Sequence, residues 1–188
     1  MFNPKLPMVV VDIETGGLEL HHPIIQIAAI VFRPNTGDIV DEFQTKIQFD
    51  VADCDEEALK INHYTSEAWG DAIPLQDAIT ALRDLFKKFA VLPRKSKKGW
   101  KYNVALACGY NSRFDQERIF HRAKQFNIFL PVDPRFLDVM QLAMWKMDLE
   151  SYKLEEIAKH FGIETEGAHD ALVDVKITAQ VMQKVREL

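Results

Sequence analysis

A run of apolar, mostly β-branched residues near the start of the chain is followed by two carboxylates at alternate positions. The run Met8–Val11 is typical of a central strand that is buried on both faces. Side chains at positions i and i+2 of a strand point to the same side of the sheet, so Asp12 and Glu14 stand side by side. Two charges there are costly unless a cation offsets them, and Mg²⁺ and Mn²⁺ prefer such oxygen ligands. The pattern predicts a metal site at the end of a central strand.

The Asp-x-Glu spacing is weak evidence when it is taken alone. An alternative is that the strand ends at Asp12 and that Glu14 is a solvated turn residue. Only this copy follows a valine run and precedes a Gly-Gly turn. The three other copies are Asp55/Glu57, Asp115/Glu117 and Asp148/Glu150.

The length and charge of the chain favour a single globular domain. Its 188 residues predict one domain, 1–188, that is long enough to bury about 70% of its unfolded surface. The net charge of −5 counts against a generic nucleic-acid binder held by bulk positive potential. This charge is compatible with an enzyme that binds one end of a nucleic-acid strand through metal ions and a local basic patch.

The sequence predicts a cytoplasmic protein without a membrane segment. Met1–Lys5 lack the apolar stretch of a secretory signal, and the longest apolar run, Ile24–Phe32, is too short to span a bilayer. Cys54 and Cys108 do not form a Cys-x-x-Cys motif, and we interpret them as reduced thiols of an intracellular protein.

The order of the predicted elements is that of an α/β protein with a mixed sheet. Strands at about 8–14, 24–32 and 39–49 have short connections and predict an antiparallel meander, and a further strand is predicted at 104–108. The predicted helices are a short one within 53–64, one capped by Asp71 that runs to Phe89, and four more at about 112–126, 137–147, 151–162 and 168–185. In the helix at 137–147, one face carries Leu137, Met140, Met144 and Met147, which we interpret as core.

A second polar stretch directly follows the predicted strand at 104–108. It places Asp115 in or next to a strand-to-helix junction, where the ligands of α/β sheets collect. The alternative is an ordinary helix N-terminus, in which Asp115 stabilises the helix dipole and Asn111 or Ser112 is the cap.

A third polar stretch lies at the start of the last predicted helix. If His169 and Asp174 were both helical they would be about 140° apart, at ~100° per residue. His169 is therefore predicted in the loop that enters the helix, turned toward the site. Asp174 flanks a buried stripe, where an unpartnered carboxylate is costly. The remaining histidines are interpreted as structural or solvated, namely His21, His22, His63, His121 and His160.

These stretches supply one imidazole, that of His169, and four carboxylates, those of Asp12, Glu14, Asp115 and Asp174. Four carboxylates cannot crowd into one pocket without cations, because like charges a few ångströms apart force some of them to protonate. Two divalent ions about 3.5–4 Å apart would satisfy them, and such an arrangement hydrolyses phosphodiesters. A histidine can accept the proton of the attacking water near neutral pH.

In this order and at these intervals, three motifs resemble those of the DEDD 3′→5′ exonucleases. The motifs are Asp12-x-Glu14, Asn111-x-x-Phe114-Asp115 and His169-x-Ala171-x-x-Asp174. A histidine five residues before the last aspartate marks the subgroup that uses histidine as the base. The resemblance covers most of the chain, and in layout and length it is most similar to ribonuclease T and, somewhat less, to the proofreading subunit of the bacterial replicative polymerase.

The resemblance implies a ribonuclease H-like fold, with a five-stranded mixed sheet flanked by helices. It implies hydrolysis at the 3′ end of single-stranded DNA or RNA by a mechanism with two metal ions, Mg²⁺ or Mn²⁺, and release of nucleoside monophosphates. In the implied roles, Asp12 bridges both ions, Glu14 and Asp174 complete the site of the attacking water, Asp115 reaches the second ion, and His169 is the general base.

The resemblance also implies contacts with substrate. The backbone of residues 15–17 would approach the terminal 3′-hydroxyl, which fits glycines that allow close contact. The loop at 61–63 would lie beside the last base. The chain departs from the common pattern at Tyr110, where a histidine often stands, and this affects only details of substrate binding. The implied substrate-binding residues are Thr15, Gly16, Gly17, Ile61, Asn62 and Asn111.

A basic segment has two interpretations. Five of the eight residues from Arg94 to Lys101 are basic, and Trp100 lies among them. They either contact phosphates of the incoming strand, with Trp100 stacking on a base, or form a solvated connection.

Two other function classes stay open on the sequence alone. One is a non-catalytic nucleic-acid or polymerase accessory module on the same fold, and the other is a metal-dependent phosphohydrolase of small nucleotides. The choice between DNA and RNA depends on contacts to one 2′-hydroxyl, so the pathway, whether DNA repair or RNA processing, is open as well. A homodimer is also possible, as in ribonuclease T-like enzymes.

Overall fold

The computed structural model describes residues 5–188, which form a mixed sheet with helices on both faces. Met1–Pro4, which belong to the segment considered above for a secretory signal, lie outside the described residues. The strands are β1 (Met8–Thr15), β2 (Ile24–Phe32), β3 (Ile39–Lys46), β4 (Leu92–Lys95), β5 (Lys101–Val104), β6 (Leu106–Gly109) and β7 (Leu137–Asp138). The helices are α1 (Glu56–Ile61), α2 (Leu75–Lys88), α3 (Arg113–Gln125), α4 (Val139–Lys146), α5 (Leu154–His160) and α6 (Ala171–Glu187).

The main sheet has five strands in the order β3-β2-β1-β6-β7. β1 pairs antiparallel with β2 and parallel with β6, and so takes the central position. Its apolar residues from Met8 to Val11 are at most 1% exposed, as expected for a strand that is covered on both faces. The predicted meander and the five-stranded mixed sheet are both confirmed.

Alternate side chains of β1 enter two different cores. Val9, Val11 and Ile13 belong to the core that includes residues of α2 and α3. Met8 and Val10 belong to the core on the other face, with residues of α4, α5 and α6. Asp12 and Glu14 continue the second series, so their side chains lie on the face of the sheet that α6 covers.

Two predicted boundaries are wrong for local reasons. The strand predicted at 104–108 is divided at Ala105, because β5 pairs with β4 in a separate hairpin before β6 joins the main sheet. The helix predicted from Asp71 begins at Leu75, and its N-cap is Pro74, whose fixed φ suits that position.

The interpretation of the methionines at 137–147 as core is wrong for Met144 but right for Met147, which is partly buried against the second core. Val139 and Ala143 are the buried residues of α4, and Met144 is 52% exposed. Small and β-branched residues on the inner face let this short helix lie close to α6. Leu142 is partly buried against the same core, whereas Met144 and Trp145 are exposed. None of the described helices is long and apolar enough to cross a membrane.

We expect Phe86→Ala in α2 to lower the free energy of unfolding by about 3–5 kcal/mol, because Phe86 is fully buried against the sheet. Chemical denaturation measures the change. Lys87→Ala is the control on the same helix, since Lys87 is exposed and its loss should change stability by less than about 0.5 kcal/mol. Equal effects of the two substitutions would contradict the assignment of this helix face to the core.

Candidate active site

Three carboxylates converge where β1 ends beside the start of α6. Asp12 and Glu14 come from β1, and Asp174 comes from the first turn of α6. One oxygen atom from each carboxylate lies within 4.8 Å of those from the other two. The structure therefore brings together residues that are about 160 positions apart in the chain, as the sequence motifs predict.

A fourth carboxylate is hydrogen-bonded to the backbone of β1 between Asp12 and Glu14. Asp115 lies in the first turn of α3 and is 4% exposed, and its Oδ1 atom accepts a hydrogen bond from the Ile13 amide at 3.1 Å. Its charge raises the pKa values of both Asp12 and Glu14. Part of the alternative is observed as well, since Ser112 is the N-cap of α3 and Asp115 lies in its first turn, although the Ser112 side chain makes no capping hydrogen bond.

Burial and mutual repulsion shift the acidity of the whole cluster. Burial is the largest cause for each member. It raises the pKa of Asp12 well above its ordinary value and that of Glu14 to about 8, with the neighbouring carboxylates adding to both effects. It also raises the pKa of Asp115 to about 7 and that of Asp174 to about 6. Four hard oxygen donors that resist ionisation together fit a site for divalent metal ions.

A fifth carboxylate, missed by the sequence analysis, anchors α6 to the sheet. Asp170 is the N-cap of α6 and accepts hydrogen bonds from the amides of Leu172 and Val173. The side-chain amides of Gln26 and Gln44 donate to the same carboxylate at 3.0 and 3.1 Å. Gln26 lies opposite Glu14 in the β1–β2 register, so this network fixes Asp174 relative to β1. The available signal was a lone glutamine in an otherwise apolar strand.

His169 lies in the loop before α6, as predicted. Its φ is 67°, its side chain is 51% exposed, and its Nε2 atom lies 3.5 Å from Oε1 of Glu155 in α5. The charge and backbone of His169 both oppose the rise in the pKa of Asp174. Glu155 was not identified from the sequence, because only the packing of α5 beside this loop brings it near.

Five of the six expected substrate-binding residues line two separate cavities, and Gly16 lines neither. A cavity of about 350 Å³ beside Glu14 is lined by Thr15, Gly17, Ile61 and Asn62, among others. The Asn62 side-chain amide donates to the Thr15 carbonyl at 3.0 Å and so joins its two walls. Asn111 instead lines a cavity of about 830 Å³ that also contains His169 and Asp174.

The glycines of the first motif have a structural explanation that differs from the expected one. A Cβ atom at Gly16 would lie 2.3 Å from Sγ of Cys54, and one at Gly17 would lie 2.5 Å from atoms of Asp55 and His22. Side chains of this protein fill the space beside both residues. Glycine is therefore required here because the segment at 54–55 packs tightly against the end of β1.

The other Asp-x-Glu copies do not form a comparable site. Asp148 and Glu150 are exposed, as are Asp55 and Glu57. In the remaining copy, Asp115 is buried in the cluster and Glu117 is exposed on the outside of α3. The alternative with a solvated Glu14 is thus not observed, since Glu14 is partly buried among carboxylates.

The basic segment at 94–101 lies at the opposite end of the sheet. It forms β4, the hairpin turn and the first residue of β5, and β5 leads into β6, where Leu106 pairs with Met8. Asp12 is four residues further along β1, or about 13 Å at 3.3 Å per residue. Arg94 also forms an ion pair with buried Asp133. The hairpin is therefore outside the acidic site of its own chain.

Comparison with known proteins finds one matching family and several similar structures. The model of the exonuclease family RNase_T matches residues 9–182. A DNA polymerase III of PolC type from Caldanaerobacter subterraneus subsp. tengcongensis is 29% identical over 182 residues, which are 95% of this chain. The chain spans only 11% of the length of that polymerase.

Solved structures of nucleases have the same fold. The nuclease domain of 3′hExo, a DEDDh family member bound to rAMP, matches with a TM-score of 0.74 and 15% identity over 96% of this chain and 92% of that one. E. coli Exonuclease I in complex with a dA16 oligonucleotide matches with a TM-score of 0.72 and 20% identity over 97% of this chain and 41% of that one. The predicted ribonuclease H-like fold is thus confirmed.

We expect Glu14→Gln to stabilise the metal-free protein at pH 8. The folded pKa of about 8 lies above the ordinary value of 4.5, so the folded state binds more protons than the unfolded chain between these values. The free energy of unfolding of the wild type therefore falls as the pH rises through that window. Solvent screens part of this effect, because Glu14 is only partly buried, and we expect the variant to gain about 2 kcal/mol in the free energy of unfolding. This gain corresponds to about 4–8 °C in Tm for a chain of this size.

Thermal unfolding in EDTA at pH 4 and pH 8 measures this effect, and the gain should vanish at pH 4. Mg²⁺ at 100 times its Kd should stabilise the wild type by about 2.7 kcal/mol and the variant by less. Glu150→Gln, at an exposed position of the same Asp-x-Glu pattern, should change neither result. A lower Tm of Glu14→Gln than of the wild type in EDTA at pH 8 would show that burial and repulsion do not destabilise the ionised Glu14 carboxylate.

Proposed function

The chain belongs to the RNase_T exonuclease family, and from this premise we propose that it is a 3′→5′ exonuclease of single-stranded DNA or RNA that uses two divalent metal ions, Mg²⁺ or Mn²⁺. The observation that carries the proposal is the convergence of four carboxylates at the end of β1. The direction and the substrate follow the similar structures, a 3′-exonuclease domain and Exonuclease I bound to an oligonucleotide.

The proposed metal ligands are Asp12, Glu14, Asp115 and Asp174. Bound ions would supply a water of lowered pKa and positive charge beside the reacting phosphate. Asp12 is the most deeply buried of the three carboxylates that converge directly, and it would be a ligand of the ions held there. The Ile13 amide holds Asp115 in place, and the cap network around Asp170 holds Asp174, so the ligands are positioned before any ion arrives.

His169 is the proposed general base, and its imidazole would take the proton of the attacking water. Its place in the loop before α6 keeps the ring next to Asp174 but outside the buried cluster. The carboxylate of Glu155, 3.5 Å from Nε2, orients the ring and is a positioning residue in this proposal. The left-handed backbone at His169 is strained for a non-glycine residue, and the capped helix that follows holds it in place.

The cavity beside Glu14 is the proposed site of the terminal nucleotide. It lies between the end of β1 and α1, and its wall includes the exposed side chain of Ile61 and the buried Asn62. Backbone groups of residues 15–17 at its rim would face the 3′-hydroxyl. Asn111 would contact the strand from the other side of the cluster.

Other expectations from the sequence stay predictions. Cytoplasmic location fits the two free cysteines, and a role in DNA proofreading or repair fits the polymerase relative, whereas RNA processing fits the 3′hExo structure bound to rAMP. The possible homodimer is tested by sedimentation velocity of the purified chain.

We expect the protein to shorten single-stranded oligomers labelled at the 5′ end, producing a ladder of products and free nucleoside monophosphates. Activity should vanish in EDTA. Asp12→Ala or Asp174→Ala should reduce the activity more than about 100-fold. Loss of a residue that only hydrogen-bonds to a metal ligand reduces activity by about 10- to 100-fold, and loss of the ligand itself should cost more. Asp148→Ala is the matched control, because it removes an exposed aspartate of the same pattern.

The assay compares DNA with RNA and Mg²⁺ with Mn²⁺, and it includes free nucleoside triphosphates as substrates. Activity that survives both EDTA and the two substitutions would refute the two-metal proposal. Faster hydrolysis of free nucleotides than of oligomers would assign the site to small phosphoesters, and oligomer binding without turnover under either metal would indicate an accessory module.

A further inference from the structure

The outer face of α4 exposes an unusual amount of apolar surface. Trp145 is 86% exposed, the largest value among the large hydrophobic side chains of residues 5–188, and neighbouring Met144 is 52% exposed. Single exposed hydrophobic residues are ordinary, but a tryptophan beside a methionine on one short helix forms a patch of the kind that marks a binding surface.

One side of this patch borders the candidate active site. The cavity of about 830 Å³ that contains His169 and Asp174 is bounded by Met140 and Met144 of α4. A neighbouring cavity of about 510 Å³ is bounded by Trp145 and Gln141 of the same helix. The loop between β6 and α3 borders both, through Asn111 in the first and Ser112 in the second. We call these two cavities, together with the outer face of α4 beside them, the α4 groove.

Two basic side chains line the α4 groove and could bind phosphate groups. Lys153 borders the first cavity and Arg113 the second, and neither takes part in an ion pair among the described residues. The nearby carboxylate of Asp138 is already occupied, since it accepts hydrogen bonds from the amides of Ser112 and Met140. Glu155 is engaged with His169.

We propose that the α4 groove holds the nucleotides on the 5′ side of the scissile bond and that Trp145 stacks on one of their bases. The proposal rests on the proposed function. The cavity assigned to the terminal nucleotide borders Glu14, and the α4 groove borders Asp174, so a strand that occupies both crosses the acidic cluster. Arg113 and Lys153 contact its phosphates. Stacking tolerates any base, so the groove favours longer strands without selecting a sequence.

The experiment compares two exposed tryptophans. Trp145 lies in the α4 groove, and Trp100 is 74% exposed on the hairpin at the opposite end of the sheet. We expect Trp145→Ala to raise the KM for single-stranded dT₁₂ by about 5- to 150-fold, the range for loss of one base stack, with kcat changed less than about twofold. Trp145→Phe should restore most of the affinity, because it keeps an aromatic face. Trp100→Ala should leave both constants unchanged.

Tryptophan fluorescence gives a readout that does not depend on catalysis. Phosphorothioate-linked dT₁₂, which resists cleavage, should quench the emission of the wild type and of Trp100→Ala, and this quenching should be lost in Trp145→Ala. If no oligomer is degraded but this quenching pattern is observed, the proposed function fails and the groove assignment stands.

Three results would overturn the groove assignment. They are an unchanged KM and unchanged quenching in Trp145→Ala, an equal loss in Trp100→Ala, and a loss confined to kcat. The first of these would indicate that the patch on α4 contacts something other than a nucleic-acid strand.

Discussion

Repulsion between carboxylates at the end of a buried strand is the constraint on which the rest of the site depends. Asp12 continues a series of side chains that enters an apolar core, and burial is the largest cause of its raised pKa. A chain without a use for such a group would gain stability by replacing it. The protein instead surrounds Asp12 with further carboxylates, which makes the site dependent on cations.

The contacts that hold this cluster together join distant parts of the chain. The hydrogen bond from Ile13 to Asp115 spans 102 positions, and those from Gln26 and Gln44 to Asp170 span 144 and 126. Each of these hydrogen bonds joins α3 or the N-cap of α6 to one strand, and together they reach all three strands of the meander. The site is consequently held in place by its scaffold. Backbone and amide hydrogen bonds to Asp115 and Asp170 resist the repulsion, and the charge of Arg118 opposes the rise in the pKa of Asp115. A metal ion entering such a site encounters ligands that are already in place.

The sequence predicts the parts of this structure that depend on local pattern. The valine run of β1, the apolar Ile24–Phe32 and the spacing of the three motifs were sufficient to predict the sheet and the acidic cluster. Glu155 and Gln44 could not be predicted, because each is an ordinary exposed polar residue until tertiary packing places it beside His169 or Asp170. The error over Met144 of α4 has a related cause. The periodicity of the methionines identifies a helix face, but only packing against α6 decides that Val139 and Ala143 face inward.

The position of the basic hairpin is compatible with the proposed action of a chain with a net charge of −5 on a polyanion. A concentration of lysines next to the acidic cluster would form ion pairs with its carboxylates and displace the metal ions that the chemistry requires. The structure keeps the basic hairpin at the far end of the sheet and leaves only Arg113 and Lys153 along the α4 groove. In the proposed function, positive charge at the reacting phosphate would come from bound cations, and affinity for the rest of the strand would come from stacking and apolar contact. The exposed side chains of Trp145 and Met144 on α4 would supply this stacking and apolar contact.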